Sequence, residues 1–351
     1  MQPKTYLLLL LHCCIAIAWA QEKNTAYEVV SVAFYNLENL FDTLNDPKTN
    51  DDSRTPEGRD RWTVEVYEKK VTNMAAVLAQ IGTEITHRPP VVIGLCEVEN
   101  RQVVEDLISS PVLKPFDYGI IHYDSPDERG IDVALIYQKK HFLPLSFKRH
   151  ALRLYDENGE RDFTRDQLLV YGLLEKDPIY FLVHHWPSRS GGQKRSEPNR
   201  MDAAALNKLV VDSVLQKQPA AKIINMGDFN DDPTNKSLLE VLKASSKKKE
   251  AIREKRLYNP MTAFYKRGIG TSCHRDTWHV LDQIQLSPGL LGTDKSEWQF
   301  WKAGIYNKPF LITKTGRYKG YPYRSFTGGR FTGGYSDHFP VYAYLIREAV
   351  E

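Results

Sequence analysis

Net charge is the first thing this chain has little of: 47 Lys and Arg stand against 44 Asp and Glu, a formal +3 over 351 residues. Charge alone therefore names no partner. Cysteine is scarce too, with four in all, and Cys13 and Cys14 fall in the N-terminal twenty residues. Cys96 and Cys273 are left, far apart in sequence, and two thiols make no disulfide scaffold. Both are expected to be small buried residues, since Cys96 sits in an apolar run. There is no internal repeat and no Pro- or Ser-rich linker, which favours one domain with long loops over two units. Beyond the N-terminus no apolar run approaches the roughly 20 residues that cross a bilayer, so no stable membrane anchor is expected there.

The N-terminus itself carries a single charge, Lys4, then an apolar run from Leu7 to Ile17, then Ala18-Trp19-Ala20. That order of charge, apolar stretch and small residues predicts a secretory signal peptide over residues 1–20, with a secreted or periplasmic mature protein. Losing it lowers the formal charge from +3 to +2. Cys13 and Cys14 lack the tight small-residue approach of a lipoprotein site.

Short β-rich runs recur at Val29 to Tyr35, Val91 to Leu95, Val133 to Tyr137, Leu168 to Leu174, Ile179 to Val183, Ile223 to Met226 and Val341 to Ile346. Several are apolar on both alternating faces, as suits strands covered on two sides. Val64, Tyr67, Val71, Met74, Leu78 and Ile81 recur at helical spacing and stop at Gly82, and Met201 to Val210 marks another helix. The alternation predicts an α/β domain over residues 27–348. Three stretches read as loops: polar Asn45 to Arg61, basic Lys243 to Arg256, and Lys302 to Tyr335, which mixes Lys, Arg, Gly and aromatics.

The chemistry gathers where the apolar runs end. Asn36 follows Val32-Ala33-Phe34-Tyr35, and Glu97 follows Val91-Val92-Ile93-Gly94-Leu95-Cys96. A carboxylate closing a buried strand is costly unless paired, and a hard cation is one usual partner; a helix start is the other. Phe181-Leu182-Val183 runs into His184-His185-Trp186-Pro187-Ser188-Arg189. One histidine there suits polarising a phosphate oxygen, with Arg189 as a second anchor, and alternation lets only one of the two face a site. Ile223 to Gly227 leads into Asp228-Phe229-Asn230, whose acid and amide share a face in extended backbone. Val280-Leu281-Asp282 and Ser336-Asp337-His338 supply an acid and an acid–imidazole pair.

Taken in this order the clusters resemble the endonuclease/exonuclease/phosphatase superfamily, which includes deoxyribonuclease I. The resemblance runs from about Val30 to Leu345. It implies a four-layer α/β/β/α sandwich of two mixed sheets. It also implies magnesium, with manganese or calcium able to substitute, held by Asn36 and Glu97 with Asp337 as a further ligand or neighbour. His338 would pair with Asp282, Asp228 would orient or deprotonate water, and Asn230 and His185 would steady the transition state. Many members have Asn at His184, which makes His184 structural. The stretch Ile121 to Asp132 is the region expected to support His185, and Arg129 within it is a candidate phosphate contact.

Substrate class rests on the loops. Tyr306, Lys308, Lys314, Arg317, Tyr318, Lys319, Tyr321, Tyr323, Arg324 and Arg330 form a basic and aromatic mixture before Asp337, as a groove for DNA or RNA would. A solvated basic loop explains it equally. The readings are a nuclease, a phosphatase or phosphodiesterase for lipid head groups or small esters, and a noncatalytic phosphate-binding module. Phe310-Leu311-Ile312 and Trp298 to Trp301 are the hints of an apolar hairpin that the lipid reading needs.

Overall fold

The structure is a computed structural model that describes residues 26–349. The expected signal peptide, residues 1–20, lies outside the described residues. Two sheets form the body. The first runs Gln299–Ile305, Val341–Glu348, Tyr27–Leu40, Val92–Val98, Asp132–Gln138, Tyr118–His122. The second runs Asp282–Leu286, Ile223–Asp228, Asp177–His185, Gln167–Leu174, Phe142–His150. Each is mixed: Tyr27–Leu40 pairs parallel with Val92–Val98, and Ile223–Asp228 pairs parallel with Asp177–His185, among antiparallel neighbours.

The sheets meet face to face through Phe34, Val183, Met226 and Ile284, all fully buried. At Gly94 they pack tightly, because a Cβ there would stand 3.1 Å from Phe34 and 3.2 Å from both Met226 and Val183. Helices Val64–Leu78 and Arg101–Ser109 pack on the first sheet, burying Val71, Met74, Leu78, Val104 and Leu107. Thr63 caps the first, its hydroxyl accepting from Val66 N–H, and Asn100 caps the second by accepting from Val103 N–H. Helix Gln193–Lys217 covers the second sheet, with Ala203, Ala204, Val210 and Val214 against Leu182, Ile223, Trp186 and Phe229. This is the four-layer sandwich that the family resemblance implies.

The seven β-rich runs all lie in or overlap strands. Four sheet strands lack that signal, at Tyr118–His122, Phe142–His150, Asp282–Leu286 and Gln299–Ile305. Phe142–His150 is an edge strand that leaves Leu143, Leu145 and Phe147 exposed, so its pattern is not that of a buried strand. The basic run is not all loop: Lys248–Glu254 is helical, and Arg253 and Arg256 pair with Glu254. Cys96 is buried as expected, while Cys273 is only partly covered on the hairpin Ser272–His274/Thr277–His279. The two stretches that hinted at an apolar hairpin do not form an exposed one: Trp298 and Leu311 are core residues, Phe310 packs on Tyr306 and Tyr335, and of those stretches only Trp301 is exposed.

Candidate active site

Strand register assembles the site at one end of the sandwich. His185 lies opposite Asp228 on the parallel neighbour, and Asp228 lies opposite Asp282 on the antiparallel one, so three strands deliver three groups in a row. The first sheet contributes Asn36 and Glu97 from adjacent parallel strands, at a point where the pairing register shifts. Glu38, Asn39 and Glu97 all take left-handed backbone, with φ of 51°, 59° and 59°. Such bulged rims bend a strand and re-aim side chains, at a cost the surrounding packing must meet.

Asp228 is the hub. Its Oδ1 accepts from the Asn230 backbone N–H at 2.8 Å, which leaves Oδ2 facing the site. That oxygen accepts from Asn36 Nδ2 at 3.1 Å and lies 3.6 Å from His185 Nε2 and 3.9 Å from His338 Nε2. Asn36 Nδ2 also lies 3.3 Å from Glu97 Oε1, and Asn39 N–H donates to Glu97 Oε2 at 2.9 Å. His338 Nδ1 donates to Asp282 Oδ2 at 2.6 Å. The expectation that Asp228 and Asn230 share a face of extended backbone is wrong in its mechanism. The strand ends at Asp228, and Asn230 turns left-handed with φ 49°, held by the side-chain-to-backbone bond. One N–H of the Asn230 amide donates to the Trp186 carbonyl at 3.0 Å, so a single N–H is left for a substrate oxygen.

The two adjacent histidines divide as alternation requires. His184 turns away and packs on Phe229 and Trp186, with Nε2 donating to Asn225 Oδ1 at 3.1 Å. His185 faces Asp228 and Glu97. Burial, joined by the charges of Arg165, Arg129 and His338, holds His185 well below the ordinary imidazole range, so its ring is neutral. His338 goes the other way. Burial works against its charged form, but Asp282, Asp228 and Asp337 outweigh it and keep the ring protonated. Burial pushes Asp228 up to about 6 even with His338 opposing that shift.

A hard cation fits this donor set. Glu97 and Asp337 offer carboxylate oxygens, and Asn36 Oδ1 accepts one bond, from Glu38 N–H, with a second lone pair to spare. Among the described residues the basic group closest to Glu97 is the neutral His185, 3.9 Å away, so its charge lacks a cationic partner. Asp228, Asp282 and His338 also place ligand-type atoms within 4.8 Å of one another. With the imidazole protonated between two carboxylates, one of that trio's two negative charges is offset internally.

Other expected residues take different posts. Arg189 is engaged throughout: Nε donates to the Asn230 carbonyl at 2.7 Å, Nη2 to Asp232 at 3.1 Å, and Nη1 lies 3.2 Å from His279. It braces the Asp228–Asn230 turn and is not the free anchor expected from sequence. Arg129 stands half exposed at the rim, 3.8 Å from Asp127. No member of the Ile121 to Asp132 stretch bonds His185, whose Nδ1 is buried without a partner. His122 and Asp132 pair with each other at 3.0 Å.

Two residues have supporting roles that sequence reasoning missed, although the sequence marks Arg324 for its charge. Arg165, almost fully buried, donates to Asp127 at 3.0 Å and to the Trp186 carbonyl at 2.8 Å, next to His185. Arg324 bridges Glu38 at 3.2 Å and Asp337 at 3.1 Å. Glu38 further accepts from the Ser325 N–H and hydroxyl, and Lys70 donates to Ser325 and to the Tyr335 carbonyl. The loop before Asp337 is thereby tied to the first sheet.

Comparison with known proteins returns a consistent picture. The model described as Endonuclease/Exonuclease/phosphatase family matches residues 31–347. No curated protein matches by sequence. Among solved structures, a Bacteroides thetaiotaomicron protein described by that same family name is similar at TM-score 0.53 and 17% identity, covering 92% of this chain and 100% of that one. A mannosyl-6-phosphatase of Bacteroides thetaiotaomicron VPI-5482 is similar at TM-score 0.53 and 17% identity, covering 90% and 99%. D. rerio TDP2 complexed with single strand DNA product is similar at TM-score 0.52 and 14% identity, covering 90% and 98%. At these identities the likeness is one of fold.

Proposed function

This chain belongs to the endonuclease/exonuclease/phosphatase family, a family of phosphoester hydrolases, and from that premise we propose a magnesium-dependent phosphodiesterase, exported from the cell, whose preferred substrate is DNA or RNA. One observation carries the chemistry: His185, Asp228, Asp282 and His338 converge with Glu97 and Asn36 at the meeting end of the two sheets. Asn36, Glu97 and Asp337 would hold the cation, which when bound supplies charge neutralisation at the phosphate and at the leaving oxygen. Manganese or calcium would suit the same oxygen donors.

The remaining steps belong to the side chains. The oxygen of a water forms the new bond to phosphorus, its proton passes to Asp228 Oδ2, and the ester oxygen departs on the opposite side. His338, protonated and steadied by Asp282, donates from Nε2 to the phosphoryl oxygens as charge builds there. Neutral His185 and the spare N–H of Asn230 add donors to the same oxygens. Export rests on Lys4, the run from Leu7 to Ile17 and Ala18-Trp19-Ala20.

DNA or RNA is preferred because of a hollow of about 640 Å³ that begins at Arg189 and Asn230, where Arg189, Arg275, Arg317 and Arg324 outnumber Asp276 and Asp337. A second hollow of about 600 Å³ on the other side of the segment balances Arg129, Arg165 and Arg195 with Asp127, Glu128 and Asp162. A polyanion extending past the scissile bond would use the first. The alternative is a small phosphate ester, as the name of the mannosyl-6-phosphatase indicates for that relative. Plasmid, RNA, bis-nitrophenyl phosphate and sphingomyelin, each assayed with and without magnesium, separate these readings. Cleavage of small esters alone ends the nuclease reading.

A further inference from the structure

The hollow beside Asn230 and Asp337 is lined by the rings of Tyr318 and Tyr321, which end a series of packed aromatics. Phe339, next to His338, stacks on Trp278 with centroids 5.9 Å apart and planes at 15°. Trp278 meets Tyr321 at 6.4 Å, and Tyr321 meets Tyr318 at 5.6 Å. The series thus runs from buried Phe339 outward and ends on Tyr318, which is 38% exposed. Arg317 lies over the Tyr318 ring at 5.8 Å, and Arg324 stands at the inner end between Glu38 and Asp337.

This wall is built, not draped. The hairpin Ser272–His274/Thr277–His279 turns through Arg275 and Asp276, both left-handed, at φ 48° and 62°. The Tyr321 hydroxyl clamps that turn, donating to Asp276 Oδ1 at 2.5 Å and accepting from Asp276 N–H at 2.6 Å. The loop carrying Tyr318 is closed at its base, where Thr313 N–H donates to the Tyr321 carbonyl at 2.8 Å and Gly320 N–H to the Thr313 carbonyl at 2.9 Å. A ring held this way loses little freedom when a flat partner is laid on it.

We infer that this hollow receives the nucleotide beside the scissile phosphate, with its base unstacked from its neighbours and laid on Tyr318, so that single-stranded nucleic acid is cleaved in preference to duplex. The inference rests on the phosphodiesterase reading above. A base inside a duplex has both faces covered, whereas an unpaired base offers a face to an aromatic platform and its phosphates to nearby arginines. Stacking of this kind tolerates any base, so little sequence preference follows.

The test compares the mature protein with Tyr318→Ala and Tyr318→Trp on one labelled oligonucleotide, single-stranded and as a duplex, beside bis-nitrophenyl phosphate. Loss of one stacked base is expected to lower the ratio of kcat/KM for single strand over bis-nitrophenyl phosphate about tenfold in Tyr318→Ala, through KM, and Tyr318→Trp should restore it. An unchanged ratio, or duplex cleaved as fast as single strand by the wild-type protein, overturns the inference. If the wild-type protein hydrolyses bis-nitrophenyl phosphate but no oligonucleotide, the inference falls while the phosphoesterase reading stands. If it hydrolyses neither, the phosphodiesterase reading falls, and anisotropy of the labelled single strand with wild-type and Tyr318→Ala protein decides the platform alone. Equal binding by the two contradicts it.

Discussion

His338 donates from Nδ1 to Asp282 Oδ2 at 2.6 Å, which turns Nε2 toward Asp228 Oδ2, 3.9 Å away. One carboxylate thus fixes the direction of the imidazole that is proposed to meet the phosphoryl oxygens and makes the largest contribution to keeping it charged. Asp282 does this from the adjacent strand without itself reaching the substrate, as an orienting partner.

Asp282→Asn keeps the shape and removes the charge that holds His338 protonated. The expected result is a fall in kcat of about 10- to 100-fold with a small change in KM. Steady-state kinetics on bis-nitrophenyl phosphate read both constants. A fall confined to KM would show that Asp282 shapes the pocket and does not set the imidazole.

His184 makes the fold acid-sensitive. Burial lowers it to about 3 from 6.5, against the support of Asn225, and its Nδ1 is buried without a partner. Because the unfolded chain takes up this proton first, the contribution is complete above 6.5 and is lost as pH falls from there toward about 3. His184→Asn should be less stable near pH 8, having lost its contacts with Phe229 and Trp186. It should also lose less stability than the wild type between about pH 8 and about pH 5. Urea midpoints at the two pH values give the comparison, and equal losses would contradict the assignment.

Arg165→Met would leave the Asp127 carboxylate and the Trp186 carbonyl without their buried partner. Breaking such a pair costs about 3–5 kcal/mol, so denaturant melts should show a large loss of stability. Because the Trp186 carbonyl also accepts from Asn230, turnover should fall in the variant even where it is fully folded.

The sequence made the site legible wherever a buried strand ends in a polar group. Asn36, Glu97, His185 and Asp228 all follow apolar runs, and the parallel or antiparallel register then brings them together. Strands failed to announce themselves for a matching reason. Phe142–His150 is an edge strand with exposed Leu143 and Leu145, and Asp282–Leu286 alternates Asp, Gln and apolar residues inside a buried polar network. Arg324 and Glu38 stand 286 residues apart, so no local pattern links them. Arg165 follows Thr164 in a connecting segment, and nothing nearby marks it as buried. Arg189 shows the opposite failure: its type suited an anchor, but its neighbours claim its donors.

Hydrolysis of bis-nitrophenyl phosphate by the purified mature protein, with magnesium and then with excess chelator, bears on the central claim most directly when repeated for Asp228→Ala and His338→Ala. The account predicts turnover in magnesium, its loss in chelator, its return when magnesium is restored, and no more than residual turnover in either variant. Full turnover in chelator, or in a folded Asp228→Ala or His338→Ala protein, would contradict it.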